Sequence, residues 1–324
     1  MKRLRAVSLL LALVFGGAIA VPVAAQERFP VRPIKLVVGY PPGGSVDVVG
    51  RILADGLSQK LDAQVVVENV GGAAGAIGAA RVATSAPDGY TLLVGSSNEL
   101  VGTGVLNPEQ KYDAQKDFTP IGLVASAPLV LVAGPKSGVK TLPEFVELAR
   151  RNPGKFSYGS PGMGSTMHFA GELTKQQAGL FITHIPYRGT TALTTDLLGS
   201  VVEFGFMSPT VAAPHVQSGR LIGLGVSARQ RLPAMPQVPA LTEHPALAGY
   251  ELIGWIGLAG PRNMSADVVA AIDHALKALL QDPAFRKKLQ DVGGEPASGR
   301  EDFAKLLKDE TDKYLKLAAF AKLR

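Results

Sequence analysis

The sequence contains no cysteine and a single tryptophan among its 324 residues. The absence of cysteine excludes disulfides, thiol chemistry and cysteine-bound metals. The histidines do not supply a metal pair either, because no two of them stand three or four positions apart, the spacing that places two ligands on one helix face. We therefore expect no metal site. The histidines are His168, His184, His215, His244 and His274.

Recognition motifs for nucleic acids and nucleotides are also missing. Lysine and arginine nowhere form a run with interleaved aromatic residues, so no nucleic acid is expected as a partner. The run Gly71-Gly-Ala-Ala-Gly-Ala-Ile-Gly78 would need glycine where Ala73 and Ala76 stand to be a dinucleotide fingerprint. We predict no cofactor. The run is interpreted as a small-residue helix packed closely on a sheet, with a backbone contribution to a ligand site as the alternative.

Signals of covalent catalysis are weak. A nucleophile elbow needs the pattern Gly-x-Ser-x-Gly at a strand-to-helix turn, and Gly162-Met-Gly-Ser165 has Gly164 where the nucleophile should stand. Asp196 has the chemistry of a general acid or base, but no residue at local spacing would activate it. The chain is therefore not predicted to be an enzyme, with an α/β enzyme acting on an anionic substrate kept as an alternative.

The first 25 residues have the three parts of a secretory signal. A basic start, Met1-Lys-Arg-Leu-Arg5, leads into the apolar residues 6–23 and then into small residues before Gln26. We expect cleavage after Ala25 and export to the periplasm. An uncleaved anchor is the alternative, although the apolar stretch is near the lower limit of the ~17–25 residues that span a bilayer. Cleavage would lower the net charge from +6 to +3, because residues 1–25 contain three basic and no acidic residues.

Two similar loops give the main positive signal. The first, Tyr40-Pro-Pro-Gly-Gly-Ser-Val-Asp47, and the second, Tyr158-Gly-Ser-Pro-Gly-Met-Gly-Ser-Thr-Met-His168, each lead from a predicted strand into a helical pattern. Each thus presents main-chain N–H groups at a helix N-terminus, where anions bind. Ligands of open α/β sheets bind at the carboxyl ends of strands, where these loops and residues 95–98 are expected. The pattern favours a ligand held between two lobes, and the simpler interpretation is a set of turns and N-caps.

Strand and helix patterns alternate along the chain, which predicts an α/β fold in which each lobe is a mostly parallel sheet with flanking helices. Apolar residues at helical spacing after the first loop mark the buried face of the first helix. Ser45, Ser165 and Ser265 are predicted helix starts. We predict a first lobe from residues 26–124 and 251–324, and a second lobe from residues 125–250. The crossovers between them would be hinges.

These motifs together resemble the Bug, or TctC-like, family of periplasmic receptors of tripartite tricarboxylate transporters. The resemblance covers nearly all of the chain after the signal. It depends on the first loop and on the following further segments: Val67-Glu-Asn69, Pro87-Asp-Gly-Tyr-Thr-Leu-Leu93, Lys116-Asp-Phe-Thr-Pro-Ile121, Tyr158-Gly-Ser160, Gly164-Ser165, His184-Ile-Pro-Tyr-Arg-Gly189 and Asp196-Leu-Leu-Gly199. Two segments depart from the family pattern, Val70-Gly71 and Thr191-Ala-Leu193.

The resemblance implies a two-lobed Venus-flytrap fold that binds small carboxylates, amino acids or related molecules through main-chain amides, hydroxyls and water. It also implies membrane transport subunits as partners. The ligand contacts carried over onto this sequence are Tyr40, Pro41, Pro42, Gly43, Gly44, Ser45, Asp47, Ser96, Ser97, Asn98, Gly159, Ser160, Gly164, Ser165, Thr166, Tyr187 and Asp196.

The expected function is therefore that of a monomeric periplasmic receptor that delivers a small carboxylate to a transporter. A periplasmic sensor component that docks on a signalling receptor is the alternative from another class, because both would use the same closure. The loops would accept a mono-, di- or tricarboxylate or an aromatic acid equally well, so the ligand stays open at this point.

Overall fold

The protein is described by a computed structural model over residues 29–107 and 109–323, and the predicted signal at 1–25 lies outside these residues. Its strands and helices form two sheets with helices packed on them. The strands are β1 (Ile34–Val38), β2 (Val65–Asn69), β3 (Thr91–Ser96), β4 (Phe118–Ala127), β5 (Val130–Ala133), β6 (Ser157–Ser160), β7 (Thr183–Pro186), β8 (Phe204–Met207), β9 (Ile222–Val226), β10 (Gly254–Pro261) and β11 (Glu295–Pro296). The helices are α1 (Ser45–Leu61), α2 (Ala76–Ala83), α3 (Thr103–Leu106), α4 (Leu142–Arg151), α5 (Thr166–Ala178), α6 (Thr190–Gly199), α7 (Pro209–Gln217), α8 (Ala266–Gln281), α9 (Pro283–Asp291) and α10 (Phe303–Phe320).

The first sheet has six strands in the order β11-β4-β10-β3-β1-β2. β1 lies between β2 and β3 and is parallel to both, as expected of a βαβαβ unit. The α1 helix covers this part of the sheet with the predicted apolar face, since Val46, Val49, Leu53 and Leu57 are all buried. The carboxyl ends of β1 and β3 therefore lie at the same edge of the sheet.

The second sheet has five strands in the order β7-β6-β8-β5-β9. β6 is parallel to β7 and β8, whereas β5 is antiparallel to β8 and β9. In the first sheet β10 is likewise antiparallel to β3 and β4. The two-lobed α/β fold is thus confirmed, but the sheets are mixed rather than mostly parallel. Every antiparallel pair includes β4, β5 or β10, which are strands that flank the passages between the sheets.

The chain passes between the sheets twice, from Ala127 to Val130 and again between Val226 and Gly254. The α10 helix packs near the first sheet and also reaches the second lobe, where the Tyr314 ring lies 4.3 Å from the Phe169 ring of α5. The predicted division at residue 124 falls inside β4, and the division at residue 250 falls in residues 227–253, the return segment that leads back to the first sheet. The exact extent of each lobe and the hinge positions stay predictions.

The predicted helix starts are confirmed at Ser165 and Ser265, whose hydroxyls accept hydrogen bonds from N–H groups of α5 and α8. At α1 the prediction is wrong by one position. Gly44 is the N-cap, and Ser45 is the first helical residue. Across residues 29–107 and 109–323, no helix combines the length and apolar character needed to cross a bilayer.

Candidate functional site

The first loop, residues 40–47, ends at the open N-terminus of α1. Gly44 has no side chain with which to cap the helix, and the N–H groups of Ser45, Val46 and Asp47 have no hydrogen-bond acceptor within the described residues. These groups carry the positive end of the helix dipole, which favours an anion. Residues 41–45 are exposed, so this helix end is accessible to a ligand.

The Asp47 carboxylate turns back onto its own loop. It accepts hydrogen bonds from Gly43 N–H at 2.8 Å, from Asn69 Nδ2 at 2.8 Å and from Arg51 Nη2 at 3.0 Å. Burial acts to raise the pKa of Asp47, but the hydrogen bonds from Arg51, Gly43 and Asn69 together lower it below its usual range. Asn69 also donates to the Tyr40 carbonyl at 3.0 Å. Asp47 therefore fixes the loop and neutralises Arg51, which leaves the helix end as the main positive feature of the loop.

A buried carboxylate, Glu99, lies next to the first loop and was not among the predicted site residues. Its Oε1 accepts from Ser96 N–H at 2.7 Å, and its Oε2 accepts from the hydroxyls of Tyr40 at 2.7 Å and Ser96 at 2.5 Å. Burial raises the pKa of Glu99 in spite of these hydrogen bonds. Glu99 thus holds the side chains of Tyr40 and Ser96 together beside the first loop.

The glycine run before α2 packs against this cluster and against β1. A Cβ at Gly75 would lie 2.9 Å from Glu99 Oε2, and one at Gly78 would lie 2.9 Å from the Gly39 Cα. Contacts this short leave no room for a side chain. The prediction that the run provides close packing is confirmed, and it also explains how a carboxylate can be enclosed here.

The loops that follow β3 and β6 contact each other directly. Asn98 Oδ1 accepts from both the N–H of Thr166 at 2.9 Å and its hydroxyl at 2.8 Å, and the Ser97 hydroxyl lies 2.8 Å from the Thr166 hydroxyl. Asn98 also donates to the Tyr40 hydroxyl at 3.1 Å. The carboxyl ends of strands from the two sheets therefore face each other. The N-terminus of α5 is partly capped by a side chain of the other lobe.

The hydroxyls of the second loop, residues 159–166, are used within the loop. Ser160 Oγ donates to the Gly162 carbonyl at 3.1 Å, and Ser165 Oγ donates to the same carbonyl at 2.8 Å. Ser165 Oγ also accepts from the N–H of His168 at 3.2 Å. Both serines thus hold the loop in shape. Several main-chain N–H groups of the loop are also engaged within the protein, Gly162 by Ser160, Gly164 by His168 and Thr166 by Asn98.

Two stacked histidine rings form hydrogen bonds with the second loop. The rings of His168 and His184 are 3.9 Å apart at an interplanar angle of 17°. Gly164 N–H donates to His168 Nδ1 at 3.2 Å, and Ser160 Oγ lies 2.7 Å from His184 Nε2. Burial, His184 and Lys175 lower the pKa of His168 to about 3, and burial and Lys175 lower that of His184 to about 4. Both rings are therefore neutral at neutral pH, as the hydrogen bond to Gly164 requires.

The remaining predicted residues of the second lobe lie together beside β6. The Tyr187 hydroxyl donates to Asp196 at 2.9 Å, and burial together with Asp196 raises the pKa of Tyr187 to about 12. A Cβ at Gly159 would lie 2.2 Å from a Leu193 methyl and 3.0 Å from the Tyr187 ring, so glycine is needed there for packing. Arg188 is exposed and has no acidic partner within the described residues.

The structure thus brings most of the predicted residues to the facing edges of the two sheets, but many of their side chains bond to one another. Asn98, Ser97 and Thr166 join the lobes, whereas Pro41 and Pro42 are exposed on the first loop. Sequence reasoning missed the role of Glu99. The position of this carboxylate between Asn98 and an apolar stretch was a signal that its side chain is buried near the site. Within the described residues no three histidine or carboxylate side chains are grouped to hold a metal ion.

Solved structures show which class of protein has this architecture. A protein of R. palustris with adipate has 28% sequence identity and a TM-score of 0.81, over 91% of this chain and 98% of that chain. MatC from Rhodopseudomonas palustris with bound malate has 29% identity and a TM-score of 0.77, over 89% of this chain and 99% of that chain. The fold is that of two-lobed periplasmic solute-binding proteins.

The chain belongs to the tripartite tricarboxylate transporter receptor family, TctC, whose model matches residues 49–320. Protein BugT of Bordetella pertussis is 33% identical over 290 residues, which cover 88% of this chain and 87% of BugT. The resemblance to the Bug, or TctC-like, family is thus confirmed. The family consists of binding proteins rather than enzymes.

Proposed function

We propose that this protein is a monomeric periplasmic receptor that closes on a small carboxylate and delivers it to the membrane subunits of a tripartite tricarboxylate transporter. The observation that carries the proposal is the uncapped N-terminus of α1, where three N–H groups find no acceptor among residues 29–107 and 109–323, beside the contact between the lobes. The solved relatives with adipate and malate support the same ligand class. Residues 1–25 would direct export and be removed.

The charges around the first loop support binding through main-chain dipoles. Arg51 is engaged by Asp47, and the Glu99 carboxyl is engaged by Tyr40 and Ser96. A carboxylate at α1 therefore meets the helix dipole and N–H donors, while the negative charge of Asp47 in the first turn is balanced by Arg51. Because residues of both loops lie at the facing edges, a ligand that touches both makes more contacts in the closed form and shifts the population toward it.

The proposal predicts that carboxylates, and not their esters or amides, bind. A panel that includes adipate and malate should raise the midpoint of thermal unfolding for at least one acid, since a ligand at 100 times its Kd stabilises a protein by about 2.7 kcal/mol. Calorimetry would then give its affinity. If no acid binds, or if the methyl esters bind equally well, the anion-binding role of the helix end is contradicted.

Two variants in the second lobe test whether the main chain of the second loop or the Arg188 side chain matters more for carboxylate binding. Gly164 has a φ of +78° and donates to His168, so Gly164→Val should weaken carboxylate binding more than tenfold by distorting the loop. Arg188→Ala should weaken it less, because the exposed guanidinium is not the proposed anchor. Circular dichroism would confirm that Gly164→Val is folded. The reverse order in calorimetry would assign the carboxylate to Arg188.

A further inference from the structure

A groove at the passages between the lobes has the features of a second ligand site. It has a volume of about 370 Å³, within the range of small-molecule sites, and it lies between β4, the return segment with β10, and α10. The lining includes Leu123 and Ser126 of β4, Trp255 of β10, and Leu306 of α10. This groove is formed by other residues than the two glycine loops, so it is distinct from the proposed carboxylate site.

Two buried polar atoms of side chains that line this groove have no hydrogen-bond partner within the described residues. They are the indole Nε1 of Trp255, a donor, and Oε2 of Glu310, an acceptor. Trp255 is only 3% exposed and Glu310 only 5% exposed. A buried unsatisfied polar group costs on the order of 1–3 kcal/mol, so both atoms favour a molecule that supplies an acceptor and a donor.

The charged side chains of the groove determine which sign of charge the bound molecule should carry. Its lining contains five acidic and two basic side chains. The two lysines are engaged by acids of the same helix, Lys305 by Asp309 at 2.5 Å and Lys313 by Glu310 at 2.6 Å. Glu251 is paired with Arg229 at 3.1 Å, which leaves Glu301 and Asp302 as an acidic excess that disfavours an anion and attracts a cation.

We propose that this groove binds a small protonated amine that also carries a hydrogen-bond acceptor and an apolar stem. The amine would donate to Glu310 Oε2, the acceptor would receive the Trp255 N–H, and the stem would lie on the apolar side chains between them. The site differs from the carboxylate site in place and in ligand charge, so either can fail without the other.

Aminopentanol is a suitable probe, since it has an ammonium group, a hydroxyl and an apolar stem. Trp255 is the chain's only tryptophan, so a saturable change in fluorescence on titration reports on this groove directly. Pentanol, which lacks the charge, and hydroxypentanoate, which reverses it, are the matched probes. The proposal expects aminopentanol to bind at least tenfold more tightly than pentanol, and expects hydroxypentanoate to give no response that competes with it.

Variants of α10 separate this site from general effects on folding. Glu310→Gln should weaken aminopentanol binding at least tenfold and leave carboxylate affinity unchanged. Asp312→Asn removes the same charge from an exposed position of the same helix outside the groove, and it should leave both affinities unchanged. Trp255→Phe, measured by calorimetry, should also weaken the amine while retaining a ring against Phe303.

Three outcomes would overturn the proposed amine site. If neither fluorescence nor calorimetry detects aminopentanol at millimolar concentration, the groove is not an amine site. If pentanol binds as well as aminopentanol, the groove is merely apolar. If Glu310→Gln and Asp312→Asn have equal effects, the amine responds to the overall charge of the helix and not to this site.

Discussion

Replacing Gly102 with alanine is expected to weaken carboxylate binding at least tenfold while both lobes stay folded. A Cβ at Gly102 would lie 2.2 Å from the carbonyl oxygen of Gly164, which belongs to the opposite lobe. The main chain of one lobe would have to move away from the other. The backbone of Gly102 is right-handed helical, with φ of −61° and ψ of −45°, so alanine suits the local structure and stabilises it by up to about 1 kcal/mol. Calorimetry with the identified carboxylate measures the effect.

Gly104→Ala is the matched control for this variant. Gly104 lies two residues further on in α3, and its Cβ would meet only the flexible end of the Gln110 side chain at 3.0 Å. Its carboxylate affinity should stay within about twofold of the wild type. Solution scattering should show a larger radius of gyration for Gly102→Ala alone. If both variants bind equally well and scatter alike, the close contact between Gly102 and Gly164 is not needed for ligand capture.

Acidification is expected to destabilise the protein between pH 6.5 and pH 5 through the buried His168. Its pKa falls from 6.5 to about 3 on folding, so in this window the unfolded chain binds a proton that the folded chain does not. The free energy of unfolding therefore decreases as pH falls, by about 1.4 kcal/mol per pH unit, or roughly 2 kcal/mol across the window. The less buried His184 adds to this loss in the same direction.

The variant His168→Gln should remove about half of the combined slope of the two histidines, because glutamine does not titrate, its side-chain oxygen can still accept from Gly164, and His184 still contributes. Urea unfolding at several pH values gives the free energies. Glu99 acts in the opposite direction, since its raised pKa makes the folded state bind the extra proton, but it contributes equally to both proteins. The exposed His274 provides the control, and His274→Gln should keep the wild-type slope. An unchanged slope in His168→Gln would contradict the role of the stacked pair.

Local patterns explain why much of the fold could be predicted from the sequence. The spacing of Val46, Val49, Leu53 and Leu57 predicts the buried face of α1, and Ser165 predicts the start of α5. Helical periodicity and capping depend on neighbours a few positions apart, so they can be read without the tertiary structure. The two glycine loops were found for the same reason, because strand, loop and helix follow one another along the chain.

Contacts across the fold could not be predicted in this way. Asn98 and Thr166 are 68 positions apart, and their pairing depends on how the passages between the sheets orient the lobes. The enclosure of Glu99 depends on Gly75, whose role becomes visible only when β3 and the glycine run are placed side by side. Ser45 shows the opposite error, since a good capping residue was assigned a position that Gly44 occupies. The ligand contacts themselves remain predictions.

A crystal structure of the protein with the carboxylate identified by calorimetry would test the proposed capture most directly. We expect a carboxylate group of the ligand to accept hydrogen bonds from the N–H groups of Ser45, Val46 or Asp47, and the same ligand to contact residues 159–166 of the other lobe. A carboxylate paired with Arg188, or a ligand that touches only one lobe, would contradict capture by the helix end between two closing lobes.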